Sequence, residues 1–381
     1  MIANSYSLTD EPREASIHVA QASMFPLEKP VEVSAQEILK NAHISLYCLD
    51  FENRQAVFVE TPPNVNLSIA PFYFIGQHEK AIRVLTISFK TMLELAETVS
   101  AKDLRLVFIH SVGRCGSTLA SQIFSQVPFV HNISEPDALT NVVLARNTHQ
   151  YDEQELISLL QASVLLLCKN NLSKTNVIKG RSFVIELGDW LHTLFPHAKH
   201  LFLYRDAETW LQSGLRAFGR EEELTNDEKN IREKEGRKHL GALVPAIAQF
   251  DRDRFLPHAG MLSLMWLTAM ERYVQLCNLA IDTLAIRYKS WKQAPHETAR
   301  KMLEFCECIP TDMTPIYKIL NRDSQQGTPL ARATIGQQGK TANKDDFDEL
   351  HWHLKKHAFI NTADFEVPNT WHENSGQEEV I

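Results

Sequence analysis

The sequence predicts an α/β protein with a mostly parallel sheet flanked by helices, preceded by a small N-terminal α+β domain. Two observations predict this fold class. From about residue 104 onward, short apolar strands alternate with helical segments, a pattern typical of parallel sheets covered by helices on both faces. Before residue 100 the pattern differs, with β-rich runs close together and short helices. We therefore expect the small domain over residues 1–100 and the main domain over residues 101–381.

Within the first hundred residues, we expect a loose arm over residues 1–30, because this stretch is polar and mixed. Glu52-Asn53-Arg54 separates two β-rich runs, which is typical of a hairpin. The other predicted elements are a helix at Val33–Ala42, hairpin strands at Ile44–Phe51 and Gln55–Thr61, and a helix in the second half of Lys80–Val99.

The elements of the main domain follow from short apolar runs and helical segments. The apolar run Leu156–Cys168 is too short to cross a bilayer, so it predicts a core helix and no membrane span. The nearly all-charged run Arg220–Lys238 predicts a solvated helical insertion rather than a binding surface. The alternating elements are strands at Leu104–His110, Asn176–Gly180, His200–Tyr204 and Leu284–Tyr288, and helices at Ser117–Val127, Phe183–Phe195, Glu208–Ala217 and Pro295–Cys306.

Composition opposes several classes of function. With 39 Lys and Arg against 47 Asp and Glu, the net charge of −8 opposes a nucleic-acid-binding protein. The cysteines form no CxxC pair and no Cys/His ligand spacing, so we expect neither a zinc site nor a disulfide framework. His351, His353 and His357 fit a surface helix better than a metal site. The N-terminus lacks the pattern of a signal peptide, so we expect a cytoplasmic protein.

The stretch most informative about function is Leu106–Leu119, which reads LVFIHSVGRCGSTL. A strand, a glycine-containing loop and a helix N-terminus together present backbone N–H groups to an anion. Gly113 and Gly116 permit tight turns, and Arg114 adds a permanent positive charge. The sequence therefore predicts an anion-binding loop, with an ordinary strand–helix turn as the alternative.

The loop is not the one that nucleotide triphosphatases and kinases use. Their motif is GxxxxGK[ST], and its lysine reaches the β- and γ-phosphates. Here Gly116 is followed directly by Ser117, and the span from Gly113 to Gly116 is too short. Ser117 and Thr118 instead begin the helix, where their hydroxyl groups could donate to the same anion.

A second candidate anion site follows the strand His200–Tyr204. Arg205 lies at the C-terminal end of this strand, where ligands of open α/β sheets bind. Ser213 lies eight residues later, two helical turns along. We expect both side chains to converge on one phosphate.

Taken with the loop, this segment resembles the family of sulfotransferases that use 3′-phosphoadenosine-5′-phosphosulfate (PAPS). That family has a strand–loop–helix with [KR]-S-G-[ST]-[ST] and a later R-[DN]-P-x-x-x-x-x-S segment. Residues 114–118 match the first motif, and Arg205 and Ser213 match the second at the family's spacing. The resemblance covers about Leu104 to Cys308 and implies a P-loop-type fold.

The resemblance also implies which residues hold the donor. Arg205 and Ser213 would anchor the 3′-phosphate, which distinguishes PAPS from ATP. No metal is expected. The residues implied for the 5′-phosphosulfate are Arg114, Cys115, Gly116, Ser117 and Thr118.

The chain departs from the family's pattern at several positions. Cys115 replaces the usual loop serine, and Ala207 replaces the proline after Arg-Asp. Arg114 stands where cytosolic small-molecule sulfotransferases usually carry lysine, so the chain looks closer to the branch with tyrosylprotein and many bacterial sulfotransferases. The C-terminal R-K-G segment of the cytosolic enzymes is absent, and Asp323-Ser324-Gln325 would take over some of its contacts.

The candidate base is Glu135. In the tyrosylprotein branch a catalytic glutamate lies at a like distance from the loop arginine, and a carboxylate beside an acceptor hydroxyl can take its proton. The alternative is helix capping, because Glu135 directly precedes Pro136. Lys179, at a strand end, would approach the leaving or acceptor oxygen, or else lie on the surface. His110 and His131 are rival bases.

The resemblance thus implies transfer of a sulfuryl group from PAPS to an acceptor hydroxyl or amine. The acceptor stays open among small molecules, carbohydrates, peptides and lipids. One alternative is a nucleotide kinase or nucleotide triphosphatase, with a magnesium-binding Asp206 at the end of its strand. The other is a non-catalytic nucleotide-binding module on the same fold. The oligomeric state is not indicated.

Overall fold

The computed structural model describes residues 1–9, 11, 13, 18–101, 104–171, 174–219, 225–322, 324, 331 and 339–373. The chain forms two compact units. The first unit combines Met1–Phe108 with Ser121–Ala198, and the second combines Ile109–Ala120 with Lys199–Ile381. Our division of the chain into domains 1–100 and 101–381 stays a prediction.

A five-stranded antiparallel sheet lies in the first unit, in the order β2-β1-β5-β4-β3. Its strands are β1 (Ile2–Ser7), β2 (Val31–Ser34), β3 (Ile44–Asp50), β4 (Gln55–Glu60) and β5 (Arg83–Ser88). The predicted hairpin is confirmed, since Asp50 lies opposite Gln55. The predicted loose arm is wrong for β1, which pairs with β2 and β5. The buried residues of β1 are the small Ala3 and Ser5, so it lacks the apolar run that marks a strand in sequence.

Five further strands form the parallel sheet that the α/β prediction requires, in the order β10-β9-β6-β8-β7. They are β6 (Arg105–Ser111), β7 (Val130–Ser134), β8 (Thr175–Lys179), β9 (Lys199–Tyr204) and β10 (Thr283–Arg287). Within the first unit, β7 and β8 pair with Ser134 opposite Lys179. Within the second unit, β9 and β10 pair with Tyr204 opposite Arg287. The sequence analysis missed β7, because its buried residues include the polar Asn132 and Ser134.

Helices flank the sheets at nearly all the predicted places. The expected helix at Val33–Ala42 is shorter, because β2 takes its first residues. The expected helix at Phe183–Phe195 starts as a 3₁₀ helix over Ser182–Leu187. The α-helices are α1 (Gln36–Lys40), α2 (Tyr73–Lys80), α3 (Phe89–Glu97), α4 (Ser117–Phe124), α5 (Asp137–Thr148), α6 (Glu153–Cys168), α7 (Gly188–Leu194), α8 (Ala207–Phe218), α9 (Asn226–Gly241), α10 (Pro245–Gln249), α11 (His258–Cys277), α12 (Tyr288–Gln293), α13 (Pro295–Phe305), α14 (Thr314–Ile319) and α15 (Lys344–Lys356).

Helices α6 and α9 confirm two predictions made from unusual stretches of the sequence. Helix α6 is buried along most of its length, as expected of a core helix, and it packs in the hydrophobic core of the first unit with α5 and β3. Helix α9 covers the described part of the charged run and buries only Gly241, so it is the solvated helix that was predicted. Thr225 and Glu228 start it with a capping box. Over the described ranges, every helix is too short or too polar to cross a membrane.

Candidate functional site

The loop between β6 and α4 carries an unusual backbone in the second unit. Gly113, Arg114 and Gly116 have positive φ angles of 75°, 49° and 87°. Glycine adopts this region freely, whereas an arginine there is uncommon and costs roughly 1 kcal/mol or more. The surrounding structure must therefore hold the loop in this tight turn.

Contacts from β9 and α8 supply that support. The indole N–H of Trp210 lies 3.0 Å from the carbonyl oxygen of Val112 and 2.9 Å from that of Gly113. The thiol of Cys115 donates to the carbonyl oxygen of Leu203 at 3.1 Å and is fully buried. Cys115, which replaces the serine of the family motif, thus fastens the loop to β9 with its side chain. It would face a ligand through its backbone.

Helix α4 begins directly after the loop. Ser117 and Thr118 form its first turn, and each is only 5% exposed. The first N–H groups of a helix have no partner within the helix and favour an anion at that end. The positions of these two residues therefore match the predicted arrangement of loop and helix N-terminus.

Arg114, Arg205 and Ser213 come together beside the loop. The Nε of Arg114 donates to the hydroxyl oxygen of Ser213 at 3.4 Å. The guanidinium of Arg205 donates to the carbonyl oxygen of Arg114 at 3.4 Å. The side chains that the sequence singled out in two separate segments thus form one cluster in the second unit.

The direct contacts described for Arg205 are with neutral groups. Its Nε donates to the hydroxyl oxygen of Thr209 at 3.0 Å, and its guanidinium carbon lies 4.6 Å from the ring centroid of Tyr288. Within the described residues, no carboxylate lies at salt-bridge distance from Arg205. Burial lowers the pKa of Arg205, and its neighbours do not restore it. A half-buried guanidinium with such contacts is suited to bind an anionic ligand.

Asp206 is occupied differently. Its carboxylate forms an ion pair with Arg287, whose Nε donates to Asp206 Oδ1 at 2.9 Å. A magnesium-binding carboxylate of a kinase would have to give up this pairing. The geometry therefore opposes the kinase alternative at the residue on which it depends.

In the first unit, Glu135 and Lys179 form an ion pair. The backbone N–H of Glu135 also donates to the carbonyl oxygen of Lys179 at 2.6 Å, directly after the paired ends of β7 and β8. Lys179 is only 2% exposed, and its ammonium lies 6.0 Å from the ring centroid of Phe72. Glu135 has a φ angle of 59°, so its backbone is strained. Lys179 is thus buried and does not lie on the surface.

The capping alternative for Glu135 has no support in this geometry. Pro136 is the N-cap of α5, and no side chain makes a capping hydrogen bond there. Ser134 instead donates its hydroxyl to the carbonyl oxygen of Pro71 at 2.7 Å.

A second ion pair lies two residues further along both segments. Arg181 donates to both oxygens of Asp137, from Nε at 2.7 Å and from a terminal nitrogen at 2.8 Å. Asp137 is fully buried and also accepts from the backbone N–H of Ala20 at 2.8 Å. Burial alone would lower the pKa of Arg181, but the carboxylates of Asp137 and Glu135 outweigh it and raise that pKa. The sequence analysis missed this pair, although both pairs share the same spacing.

The two rival bases lie in buried surroundings. The Nε2 of His110 lies 3.0 Å from the Nδ1 of His200, and burial lowers the pKa of His110 to about 4. His131 contacts Asn176 through Nδ1 at 3.0 Å, and burial lowers its pKa to about 4 as well. A proton taken up by either ring would place a charge in the protein interior, which disfavours both as bases.

The remaining predicted residues add little to the site. Asp323 and Gln325 lie outside the described residues, and Ser324 is a turn residue. His353 of α15 is buried beside Glu349, whereas His351 is exposed. Among the described residues, no group of three or more His, Cys, Asp or Glu side chains could hold a metal ion.

Comparison with known families gives a match to the sulfotransferase domain over residues 104–356. No curated protein matches the chain. The solved structures similar to it include three bacterial sulfotransferases, each with low sequence identity.

Sulfotransferase STF1 from Mycobacterium tuberculosis is 11% identical with a TM-score of 0.40, over 61% of this chain and 75% of its own. A sulfotransferase from Alicyclobacillus acidocaldarius is 14% identical with a TM-score of 0.38, over 65% and 90%. Sulfotransferase STF9 from Mycobacterium avium is 12% identical with a TM-score of 0.41, over 73% and 81%.

Proposed function

The chain belongs to the sulfotransferase family, and from that membership we propose how its residues divide the work of sulfuryl transfer. The loop cluster of the second unit, which consists of the loop residues 113–118 with Arg205 and Ser213, binds PAPS. Glu135 of the first unit is the base. The observation that carries the proposal is the meeting of Arg114, Arg205 and Ser213, which two separate sequence motifs supply.

The residues of the loop cluster suit a donor with two anionic ends. The loop amides, Arg114 and the hydroxyls of Ser117 and Thr118 hold the 5′-phosphosulfate, while Arg205 and Ser213 hold the 3′-phosphate. Arg205 supports this fit, because it is a half-buried cation whose contacts are all neutral. When bound, PAPS supplies the activated sulfuryl group.

Binding of adenosine-3′,5′-bisphosphate tests the donor assignment. In the presence of a chelator, calorimetry should show much tighter binding of the bisphosphate than of AMP, because only the bisphosphate engages Arg205 and Ser213. Charge-assisted contacts to a phosphate contribute about 1.5–3 kcal/mol each. Equal affinity for both nucleotides would contradict the proposal, and tight ATP binding that requires magnesium would favour a kinase.

On the acceptor side, Glu135 takes the proton of the attacking hydroxyl or amine. Lys179 supports it by holding the carboxylate in one place through the ion pair and the backbone hydrogen bond between their segments. Sulfuryl transfer resembles phosphoryl transfer in its in-line geometry, so positioning and charge should dominate its rate.

The acceptor comes from the classes that present a hydroxyl or amine, namely small molecules, carbohydrates, peptides and lipids. Arg114 favours the branch of the family with tyrosylprotein and bacterial sulfotransferases. Incubation of the full chain with labelled PAPS and a panel from each class identifies the acceptor by the product that carries the label.

A further inference from the structure

Helix α12 places two aromatic rings against the loop of the second unit. A Cβ atom on Gly116 would lie 3.3 Å from Cδ1 of Trp291 and 3.5 Å from Cδ2 of Tyr288. Arg205 stacks on the same tyrosine ring. The face of α12 that carries these rings therefore borders both the loop and the arginine assigned to the 3′-phosphate.

The indole N–H of Trp291 is a buried donor that lacks an acceptor. Trp291 is 6% exposed, and its Nε1 has no hydrogen-bond partner among the described residues. The indole nitrogen can only donate, and buried tryptophans usually find a partner. An apolar residue would fill this position without burying an unsatisfied group, so packing alone does not explain a tryptophan here.

The nitrogen of this donor lies next to the loop at Gly116. The Nε1 lies 3.4 Å from the position of a Cβ on that glycine, at the turn where φ is 87°. A Cβ there would be tightly placed against Cδ1 of the same ring at 3.3 Å, whereas an acceptor oxygen normally lies about 2.9 Å from a donor nitrogen. The gap between indole and glycine therefore suits an oxygen better than a side chain.

We infer that Trp291 is a further donor-binding residue, whose indole N–H donates a hydrogen bond to an oxygen of the 5′-phosphate group held by the loop. This inference rests on the proposed function. It assigns Trp291 to the 5′ end of the nucleotide, which AMP and the bisphosphate share, whereas Arg205 recognises the 3′ end.

The test is calorimetry of Trp291→Phe with AMP and with adenosine-3′,5′-bisphosphate. The variant keeps an aromatic ring and loses the N–H, so both nucleotides should bind roughly 10- to 100-fold more weakly. Trp190→Phe is the matched control, because Trp190 is also buried at 7% exposure but stacks on Arg146 in the first unit. It should bind both nucleotides with unchanged affinity.

A measurement on the unaltered protein complements the variant. The ¹⁵N-labelled indole signal of Trp291, assigned through its contacts with Gly116 and Tyr288, should move downfield with either nucleotide and stay in place with adenosine. Unchanged affinity in Trp291→Phe together with an unmoved signal overturns the inference and leaves Trp291 a packing residue. If the unaltered protein binds neither nucleotide, the proposed function fails and the inference with it.

Discussion

The two units concentrate charge in opposite ways. In the first unit, Lys179 and Arg181 each face a carboxylate, so the charges of that cluster balance. In the second unit, the direct contacts of the Arg205 guanidinium within the described part of the chain are a hydroxyl, a carbonyl and an aromatic ring. The ion pairs of the first unit hold the ends of β7 and β8 in place. In the second unit, the positive charge of Arg205 is suited to a ligand.

The effect of burial on two arginines shows the same difference. For Arg181, neighbouring carboxylates outweigh burial and raise its pKa. For Arg205, burial dominates and lowers its pKa. A phosphate beside Arg205 would supply the missing negative charge. In the second unit a bound ligand would thus balance the arginine charge, whereas in the first unit the folded chain already balances it.

The largest effect is expected from removing one partner of the buried ion pair between Asp137 and Arg181. Arg181→Ala leaves the carboxylate of Asp137 buried without its cation, and loss of one partner of a buried pair costs about 3–5 kcal/mol of stability. Chemical denaturation of the full chain measures this loss. The double variant Asp137→Ala, Arg181→Ala should lose less than the sum of the single variants. A loss under about 1 kcal/mol in Arg181→Ala would show that the pair contributes little.

Replacement of Glu135 separates a catalytic carboxylate from a structural one. Glu135→Gln should lower the single-turnover rate about 10²–10⁴-fold, because the base is lost. Affinity for the bisphosphate should hardly change. The variant also leaves the ammonium of Lys179 without its carboxylate, so the melting temperature should fall.

The double variant Glu135→Gln, Lys179→Gln is the control for that fall. It removes the unpaired charge and should regain stability while the rate stays low. A near-normal rate in Glu135→Gln would return Glu135 to a structural role. The rate measurement requires the acceptor that the screen identifies.

Arg205→Ala tests whether the arginine of the second unit binds the 3′-phosphate. The bisphosphate should bind about 10- to 100-fold more weakly, which corresponds to roughly 1.4–2.8 kcal/mol, and AMP binding should stay almost unchanged. Arg252→Ala removes an exposed arginine elsewhere in the second unit and serves as the control. Equal losses for both nucleotides would mean that Arg205 contacts something other than the 3′-phosphate.

What the sequence could predict depended on how local the determining residues are. The loop with Arg114 and the spacing of Arg205 and Ser213 are each short motifs within one stretch of sequence, so both could be recognised. The pairing of Asp137 with Arg181 joins residues 44 positions apart, and only the parallel register of β7 and β8 brings them together.

The support of the loop was unreadable for the same reason. Trp210 of α8 donates to carbonyl oxygens of the loop, and Cys115 of the loop donates to a carbonyl oxygen of β9. Nothing in the sequence around either residue marks this role. Strand β1 was missed because its buried residues are small. Local chemistry was therefore visible in the sequence, and long-range pairing was not.

A final effect is expected at His110, which lies in the second unit close to the loop. Burial lowers its pKa to about 4 from an ordinary value of about 6.5, so the unfolded chain binds its proton first as the pH falls. This contribution to stability is complete above about pH 6.5 and is lost progressively toward pH 4. Between pH 7 and pH 5 the resulting loss of stability amounts to roughly 2 kcal/mol.

Urea denaturation of the unaltered protein and of His110→Gln at both pH values measures this contribution. The variant should lose less stability on acidification than the unaltered protein, because glutamine does not titrate. The partner of His110 is His200, another imidazole, so no carboxylate in this contact offsets a new positive charge. If the variant loses as much as the unaltered protein, His110 is not a source of the acid sensitivity, and the partly buried His131 of the first unit becomes the next residue to replace.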